Sequence, residues 1–407
     1  MDMIQIGIIG VSGHAKEHLR AIAYCEEQKL CRLAAAVIKP DADYKEYADG
    51  FRAKGVRVYR EYAEMFTAER GTIDLIAIPT GIAFHEEHSV AALESGFNVL
   101  CEKPVAGTVA EAVHMKTAAE QTGKMLAIGY QYISSPMVQR VKQYTVNGTL
   151  GRMLSARTMA FGARDAIYYT RNAWAGKLSH LGKTIYDSPI QNAFAHFLMN
   201  MLYVASAVPG EGARVASVLM ENYHAKDIES ADTQSLLVTT SEQIPLCFLA
   251  THACEHHESV TEYHYEHGRI VWTPARTDVY TRNGNEEKLV DTLDNGNIPI
   301  QTLVFIDALN AIRNSCKPAC TISTAMQQTI AIEHGFASSG GVKAIDKKYT
   351  SQSHRLKRPE GLSDTDAARY NTVINDIVPA MKNAFAADET FSDAQLPWAV
   401  PGKVISI

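Results

Sequence analysis

No stretch of this 407-residue chain approaches the roughly 20 consecutive apolar residues of a membrane-spanning helix, so no membrane partner is expected. Net positive charge is also missing. Lys and Arg number 39 against 45 Asp and Glu, a formal charge of −6, which leaves no general basic face for nucleic acid. Cysteine is sparse: seven residues, odd in number, scattered and without a CxxC pair, read as reduced thiols and not as a disulfide framework. Internal repeats and low-complexity linkers are lacking too. An apolar strand pattern begins at Ile4, so no secretory leader is expected, and the reading is of a cytoplasmic protein. What is present is ordinary globular material, 46% hydrophobic and 21% charged, in a length that suits two domains.

Residues 1 to about 129 alternate short apolar runs with amphipathic stretches. Ile4–Ile9, Leu33–Ile38, Leu75–Ile78, Val99–Cys101 and Met125–Gly129 read as strands, with Val56–Tyr59 a shorter candidate. His14–Gln28, His85–Ser95 and Val109–Gln121 read as helices between them. Strands apolar on both sides of the pleat and joined by helices imply a doubly wound parallel sheet, an α/β Rossmann domain. The pattern then changes. Helix Pro136–Val146, strand Met153–Phe161 and a long helix from Pro189 to about Ala205 precede alternating runs at Ala213–Tyr223, Asp232–Thr239, Leu246–His252, Tyr263–His267, Arg269–Trp272 and Val279–Thr281. These suggest an α+β domain with a large, mostly antiparallel open sheet, closed by helices Gln301–Asn314 and Thr324–Ser338. The expected division is therefore 1–129, 130–345, and a C-terminal tail, 346–407, holding an amphipathic helix over Asp364–Ala386 and packing back on the body.

Between the first strand and first helix lies Gly7-Ile8-Ile9-Gly10-Val11-Ser12-Gly13-His14-Ala15. Small residues there let backbone N–H groups and a helix N-terminus approach a pyrophosphate. Counted from Gly10, Ser12 takes the second glycine position of GxGxxG and Ala15 the third, so the match is imperfect, and some such loops merely turn a strand into a helix. Gly10, Ser12, Gly13, His14 and Ala15 are the candidate phosphate-loop residues. The second strand ends at Lys39-Pro40, with Asp41 beyond; Lys39 tilts the cofactor from NAD toward NADP, or is a plain exposed lysine in a turn.

Ile78-Pro79-Thr80 followed by His85, then Ala91–Gly96, then Val99-Leu100-Cys101-Glu102-Lys103-Pro104, resembles the Gfo/Idh/MocA oxidoreductase family, which includes inositol and glucose-fructose dehydrogenases. Gly129-Tyr130-Gln131, Pro136 and Gly148–Gly151 extend the resemblance along the chain. It implies cofactor contacts at Pro79, Thr80, His85, Glu102, Lys103 and Gln131, and a cis bond before Pro104. Physical reasoning points the same way for Lys103. It follows a buried strand at the C-terminal edge where open parallel sheets bind ligands, and its ammonium can stabilise alkoxide character on a substrate oxygen.

The resemblance also implies an Asp-x-x-x-His pair, and the corresponding stretch, Ser188–Phe197, carries Asn192 and His196. Residues four apart share a helix face. His196 is a candidate general acid/base and substrate contact; Asn192 can orient it but brings no charge. Asp187 either supplies the missing carboxylate or caps the helix. The loop Tyr168–Lys177 mixes aromatic faces and donors suited to a sugar ring, with Arg171 and Trp174 as contacts, and Tyr132 sits where relatives commonly place a polar residue.

His252, Cys254 and His256 would share one face of a strand, yet the spacing fits no familiar zinc pattern and the family's chemistry uses no metal; none is expected. The resulting expectation is an NAD- or NADP-dependent dehydrogenase or reductase acting at a hydroxyl-bearing carbon of a sugar, cyclitol or polyol, as a homodimer or homotetramer. An NAD-dependent glycoside hydrolase on the same fold and a non-enzymatic sugar-sensing protein are the alternatives.

Overall fold

A computed structural model describes residues 3–39, 44–354 and 370–407. The chain divides into two compact units, Met1–Gln139 with Asn295–Met326, and Arg140–Asp294 with Gln327–Ile407.

The first unit alternates strand and helix: β1 Ile4–Ile9, α1 Ala15–Glu27, β2 Cys31–Val37, α2 Tyr44–Ala53, β3 Arg57–Tyr59, α3 Tyr62–Ala68, β4 Leu75–Ile78, α4 His85–Glu94, β5 Asn98–Cys101, α5 Val109–Thr122 and β6 Leu126–Ile128. The six strands are parallel in the order β3-β2-β1-β4-β5-β6. Both faces are covered, which is why the strands read as continuous apolar runs. All four side chains of β4 are buried without exposure, as are Val99, Leu100 and Cys101 of β5. Strand order reverses between β1 and β4, the point at which such sheets open a crevice at their C-terminal edge. Helices α2 and α3 were not anticipated, although Tyr44, Tyr47, Ala48 and Phe51 of α2 follow the i, i+3, i+4, i+7 spacing of an amphipathic helix.

The returning segment supplies a helix whose Phe305, Ala308 and Leu309 share one core with Ile8 of β1, Ala36 of β2 and Ala21 of α1. No local pattern assigns that helix to this unit; only the packing does.

The second unit begins its regular structure with α6 Pro136–Val146 (which starts in the first), β7 Met153–Gly162, α7 Ala166–Thr170 and the small hairpin β8 Ser179–His180 and β9 Lys183–Thr184. It continues with α8 Ala195–Ala205, β10 Val215–His224, β11 Thr233–Thr240, β12 Pro245–Thr251, β13 His257–Tyr265, β14 Gly268–Trp272, β15 Thr277–Asn283 and β16 Glu286–Leu293. After α9 Ile300–Asn314, the helix in the first unit, come α10 Ile322–Ser339, β17 Lys343–Ala344, β18 Thr350–His354, β19 Tyr370–Ile374, α11 Ile377–Ala387 and β20 Ile405–Ser406. The large sheet runs β16-β15-β14-β13-β7-β12-β11-β10-β17, with β20 also on β10. Pairing is antiparallel except at β7–β12 and β10–β17.

Alternation decides its faces. Met159 and Phe161 of β7, Cys247 and Leu249 of β12, and Tyr223 of β10 form one core with Ile374, Met381, Phe385 and Phe391 of the C-terminal segment. On β10, Met220 alternates with Tyr223's face and lies beside Gly335 of α10.

Three expectations need correction. The helix expected over Asp364–Ala386 is a strand, β19, followed by α11; residues 364–369 lie outside the described residues. Asp376 at φ +56° separates the two, and Thr372–Ile374 pair with β18 instead of coiling. The long helix from Pro189 is also broken. Pro189–Ala193 winds as a π-helical turn, and α8 begins only at Ala195. The 252–256 segment is not strand at all: β12 ends at Thr251.

The C-terminal segment is integral to this unit's core. Replacing the fully buried Phe391 by Ala should cost about 3–5 kcal/mol. Urea unfolding of the full chain measures this; a loss under about 1 kcal/mol would show the segment to be an appendage.

Candidate active site

The loop after β1 has the form a dinucleotide needs. Gly10 (φ +91°) and Gly13 (φ +59°) adopt backbone conformations that L side chains rarely reach, and no atom lies within 4 Å of the place a Cβ would take at either. Ser12, Gly13 and His14 are exposed, whereas Ala15 is buried and lets α1 pack close. His14 at the helix N-cap makes no side-chain capping bond, and the N–H groups of Ala15, Lys16 and Glu17 donate to the carbonyls of Ser12, Gly13 and His14. The glycine-bearing loop fits a nucleotide pyrophosphate. Lys39 is exposed beyond β2 with its ammonium 5.1 Å from the Phe84 ring centre; Pro40 and Asp41 lie outside the described residues.

At the end of β5 the chain turns through Glu102, Lys103 and a cis peptide to Pro104. Glu102 is buried, and Oε1 accepts from His18 Nε2 at 2.8 Å and from Gln301 Nε2 at 3.1 Å. Its Oε2 accepts from the backbone N–H of Lys103 at 3.0 Å. His14 Nε2 stands 3.4 Å from Oε1. Burial alone would raise this carboxyl's pKa, but the bonds from His14 and His18 outweigh it and hold the group well below its usual range. The same bond raises the His14 imidazole. Glu102 therefore faces inward and fixes the backbone from which Lys103, half-buried, projects.

His85 is fully buried, with Nδ1 2.8 Å from the Pro104 carbonyl and Nε2 2.9 Å from that of Thr80. It braces the exit loops of β4 and β5. Pro79 is buried and Thr80 half-buried at the end of β4, and Gln131 and Tyr132 follow β6 at the same edge of the sheet. The first unit thus places the loop after β1, Pro79, Thr80, Glu102, Lys103, Gln131 and Tyr132 beyond the C-terminal ends of strands of one sheet.

The other site candidates belong to the second unit. Asp187 neither caps a helix nor stands apart: Ser188 is the N-cap, and the Asp187 carboxylate accepts from Gly176 N–H and from Asn192 Nδ2, each at 2.7 Å. A carboxylate does reach position 192, through the amide. His196 is buried in the first turn of α8. Arg171 is exposed and Trp174 half-buried, the guanidinium carbon 3.6 Å from the Tyr168 ring centre and 5.2 Å from that of Trp174.

His252, read from sequence as part of a polar sheet face at a subunit contact or over the pocket in preference to a metal ligand, lies 2% exposed among Tyr168, Tyr169 and Phe194, its Nδ1 3.1 Å from the Tyr169 hydroxyl. Because the chain bends after β12, Cys254 instead turns its Sγ to the carbonyls of Thr251 and His256. Among the described residues, the His, Cys and carboxylate atoms that converge are those of His14, His18 and Glu102. Sequence reasoning passed over His18, although it follows His14 by one helical turn. Gln301 offered no local signal at all.

Comparison with known proteins agrees with this geometry. Residues 4–130 match the family described as "Oxidoreductase family, NAD-binding Rossmann fold". That stretch is similar to the dinucleotide-binding domain of the Gfo/Idh/MocA oxidoreductases. It is 28% identical over 194 residues to glucose-6-phosphate 3-dehydrogenase of Bacillus subtilis (strain 168), covering 46% of this chain and 52% of that one. It is 28% identical over 150 residues to D-glucoside 3-dehydrogenase of Escherichia coli (strain K12), covering 37% and 41%. The alignments thus span about half or less of these curated relatives. In fold, levoglucosan dehydrogenase in complex with NADH and L-sorbose superposes with a TM-score of 0.71 at 17% identity, over 84% of this chain and 97% of that one. Among the described residues no helix is long and apolar enough to cross a membrane.

Burial, then the positive charges of Arg164, Lys226, Arg171 and His257, hold His252 well below the ordinary histidine pKa. A histidine depressed in the folded state takes up its proton more readily when unfolded. Its stabilising contribution is therefore present above about pH 6.5 and lost below it, by up to about 1.4 kcal/mol per pH unit. Thermal melts from pH 7.5 to 5 should show a shallower decline for His252→Gln than for the parent chain. Equal slopes would contradict the assignment.

Proposed function

We propose that the chain is a nicotinamide-dependent oxidoreductase that moves hydride between the dinucleotide and a hydroxyl-bearing carbon of a sugar, cyclitol or related polyol, acting as a homodimer or homotetramer. One observation carries this reading: the glycine-lined loop at the switch of the β3-β2-β1-β4-β5-β6 sheet, with Lys103 at the C-terminal edge of the same sheet. The two curated relatives, named for glucose 6-phosphate and D-glucosides, support the substrate class.

When bound, the nicotinamide supplies the hydride acceptor or donor. Gly10, Ser12, Gly13 and His14 would hold its pyrophosphate at the start of α1, and Ala15 keeps that helix close to the sheet. Pro79, Thr80, His85, Glu102 and Gln131 shape the edge beyond, Glu102 and His85 through the loops they brace. Lys39 would meet the adenosine ribose, where a lysine favours a 2′-phosphate. Lys103 donates to the substrate oxygen as charge changes there. His196 takes or returns the hydroxyl proton. Asn192, its amide engaged by Asp187, presents an oriented dipole where relatives carry a charge. Tyr132, Arg171 and Trp174 contact the substrate.

Titration of NADH and NADPH fluorescence tests the cofactor half of this reading, and binding of neither would overturn it. Lys39→Ala should weaken NADPH by about tenfold and leave NADH little changed. With a sugar and polyol panel, Lys103→Met should lower kcat by about 10²–10⁴ while dinucleotide affinity stays within a few-fold. Undiminished turnover would remove Lys103 from the chemistry.

A further inference from the structure

The second unit holds a group of cations and rings that hydride transfer alone leaves unused. Arg164 and Arg171 lie 4.9 and 3.6 Å from the centre of the same ring, that of Tyr168. Neither guanidinium has a carboxylate within ion-pair distance among the described residues. Arg171 donates to the Tyr168 carbonyl and Arg164 Nη1 to the Ala163 carbonyl, both main-chain contacts. Arg164 Nε is buried with no hydrogen-bond partner among the described residues, and so is Nε2 of His252, a residue 2% exposed.

The ring of His252 lies 5.7 Å from that of Tyr168. Lys226 stands behind it, buried, and donates to the carbonyls of His252 and Thr372. Three carboxylates belong to this neighbourhood, each engaged by backbone donors, and Asp187 and Asp232 also by the side chains of Asn192 and Thr233. Asp165 accepts from Tyr168 N–H, Asp187 from Gly176 N–H, and Asp232 from the N–H groups of Ala225 and Lys226. The guanidiniums are thus left without a fixed counter-charge. Two like charges gathered on one aromatic ring repel, and buried donors without acceptors cost roughly 1–3 kcal/mol each, unless an anion answers them.

This group is joined to the candidate catalytic residues of the same unit. Phe194 packs its ring 5.4 Å from His252 and lies between Asn192 and His196 in the chain. Asp187 ties Asn192 to Gly176, which closes the loop that carries Arg171. A guanidinium matches the paired oxygens of phosphate and carboxylate alike.

We propose that Arg164 and Arg171 receive an anionic substituent of the substrate, a phosphate or carboxylate on the sugar or polyol, so that sugar phosphates or sugar acids are preferred to neutral sugars. This rests on the hydride-transfer reading of the site, which a binding measurement separates from it. The test compares glucose, glucose 6-phosphate and glucuronate with the intact protein in two ways: kcat/KM with the nicotinamide bound, and calorimetric binding.

At least one anionic sugar should exceed glucose by about thirtyfold or more, and whichever it is identifies the phosphate or carboxylate preference. In the Arg164→Gln, Arg171→Gln double variant that ratio should fall toward one, chiefly through KM. The Arg164→Lys, Arg171→Lys double variant, which keeps both charges, should retain part of it. Equal treatment of neutral and anionic sugars by the parent chain would overturn the proposal, as would a ratio that survives both glutamines. Anion-selective binding without any nicotinamide turnover would instead refute the oxidoreductase reading and leave the anion site standing.

Discussion

The organising interaction of the first unit is the buried carboxylate of Glu102. An ionised carboxylate in a dry site is tolerated only when donors surround it, and removing one partner of such a group typically costs about 3–5 kcal/mol. Here the donors come from three places in the chain: His18 on α1, Gln301 on α9 and the main chain of Lys103. One side chain thereby ties the first helix, the fifth strand and a helix that returns after some 200 residues of sequence. Lys103 stands on the backbone so fixed, and His85 joins the neighbouring loop to it through the Pro104 carbonyl. Precision at the sheet's edge follows from a charge that cannot be left unsatisfied.

In the second unit the governing constraint is a sheet with two apolar faces. β12 is buried from Leu246 to Thr251, so residues of both parities need cover. The C-terminal segment covers one parity through Met381, Phe385 and Phe391, and the elements from β7 to β12 converge their polar residues around His252. There Arg164 and Arg171 donate to the carbonyls of Ala163 and Tyr168, and the Asp187 carboxylate joins the Asn192 amide to the Gly176 N–H.

Much of this was legible in sequence, where a local rule applies. Ile4–Ile9 and Leu75–Ile78 are strands with the expected limits, because continuous apolar runs bounded by polar turns have few other solutions. The helix proposed from Pro189 failed locally: a π-helical turn occupies Pro189–Ala193, and spacing of four no longer implies a shared α-helical face. Asp187 was ambiguous because a carboxylate just before a helix is usually a cap, and nothing nearby in sequence announces Gly176 as its partner. The tail misled for a related reason. Thr372–Ile374 can coil or extend, and it is the partner strand β18 that decides.

By itself, then, the sequence determined the Rossmann pattern, the glycine-bearing loop and the position of Lys103 at a strand end, since each depends on neighbours a few residues apart. Tertiary structure alone decided what surrounds them. Glu102 turns inward because His18 and Gln301 arrive from other elements, and His252 is a buried ring beside arginines because β12 ends before it. Lys103 is recognisable from a motif, but its support is assembled from long-range contacts, and burial of a charge obeys whichever donors the fold delivers.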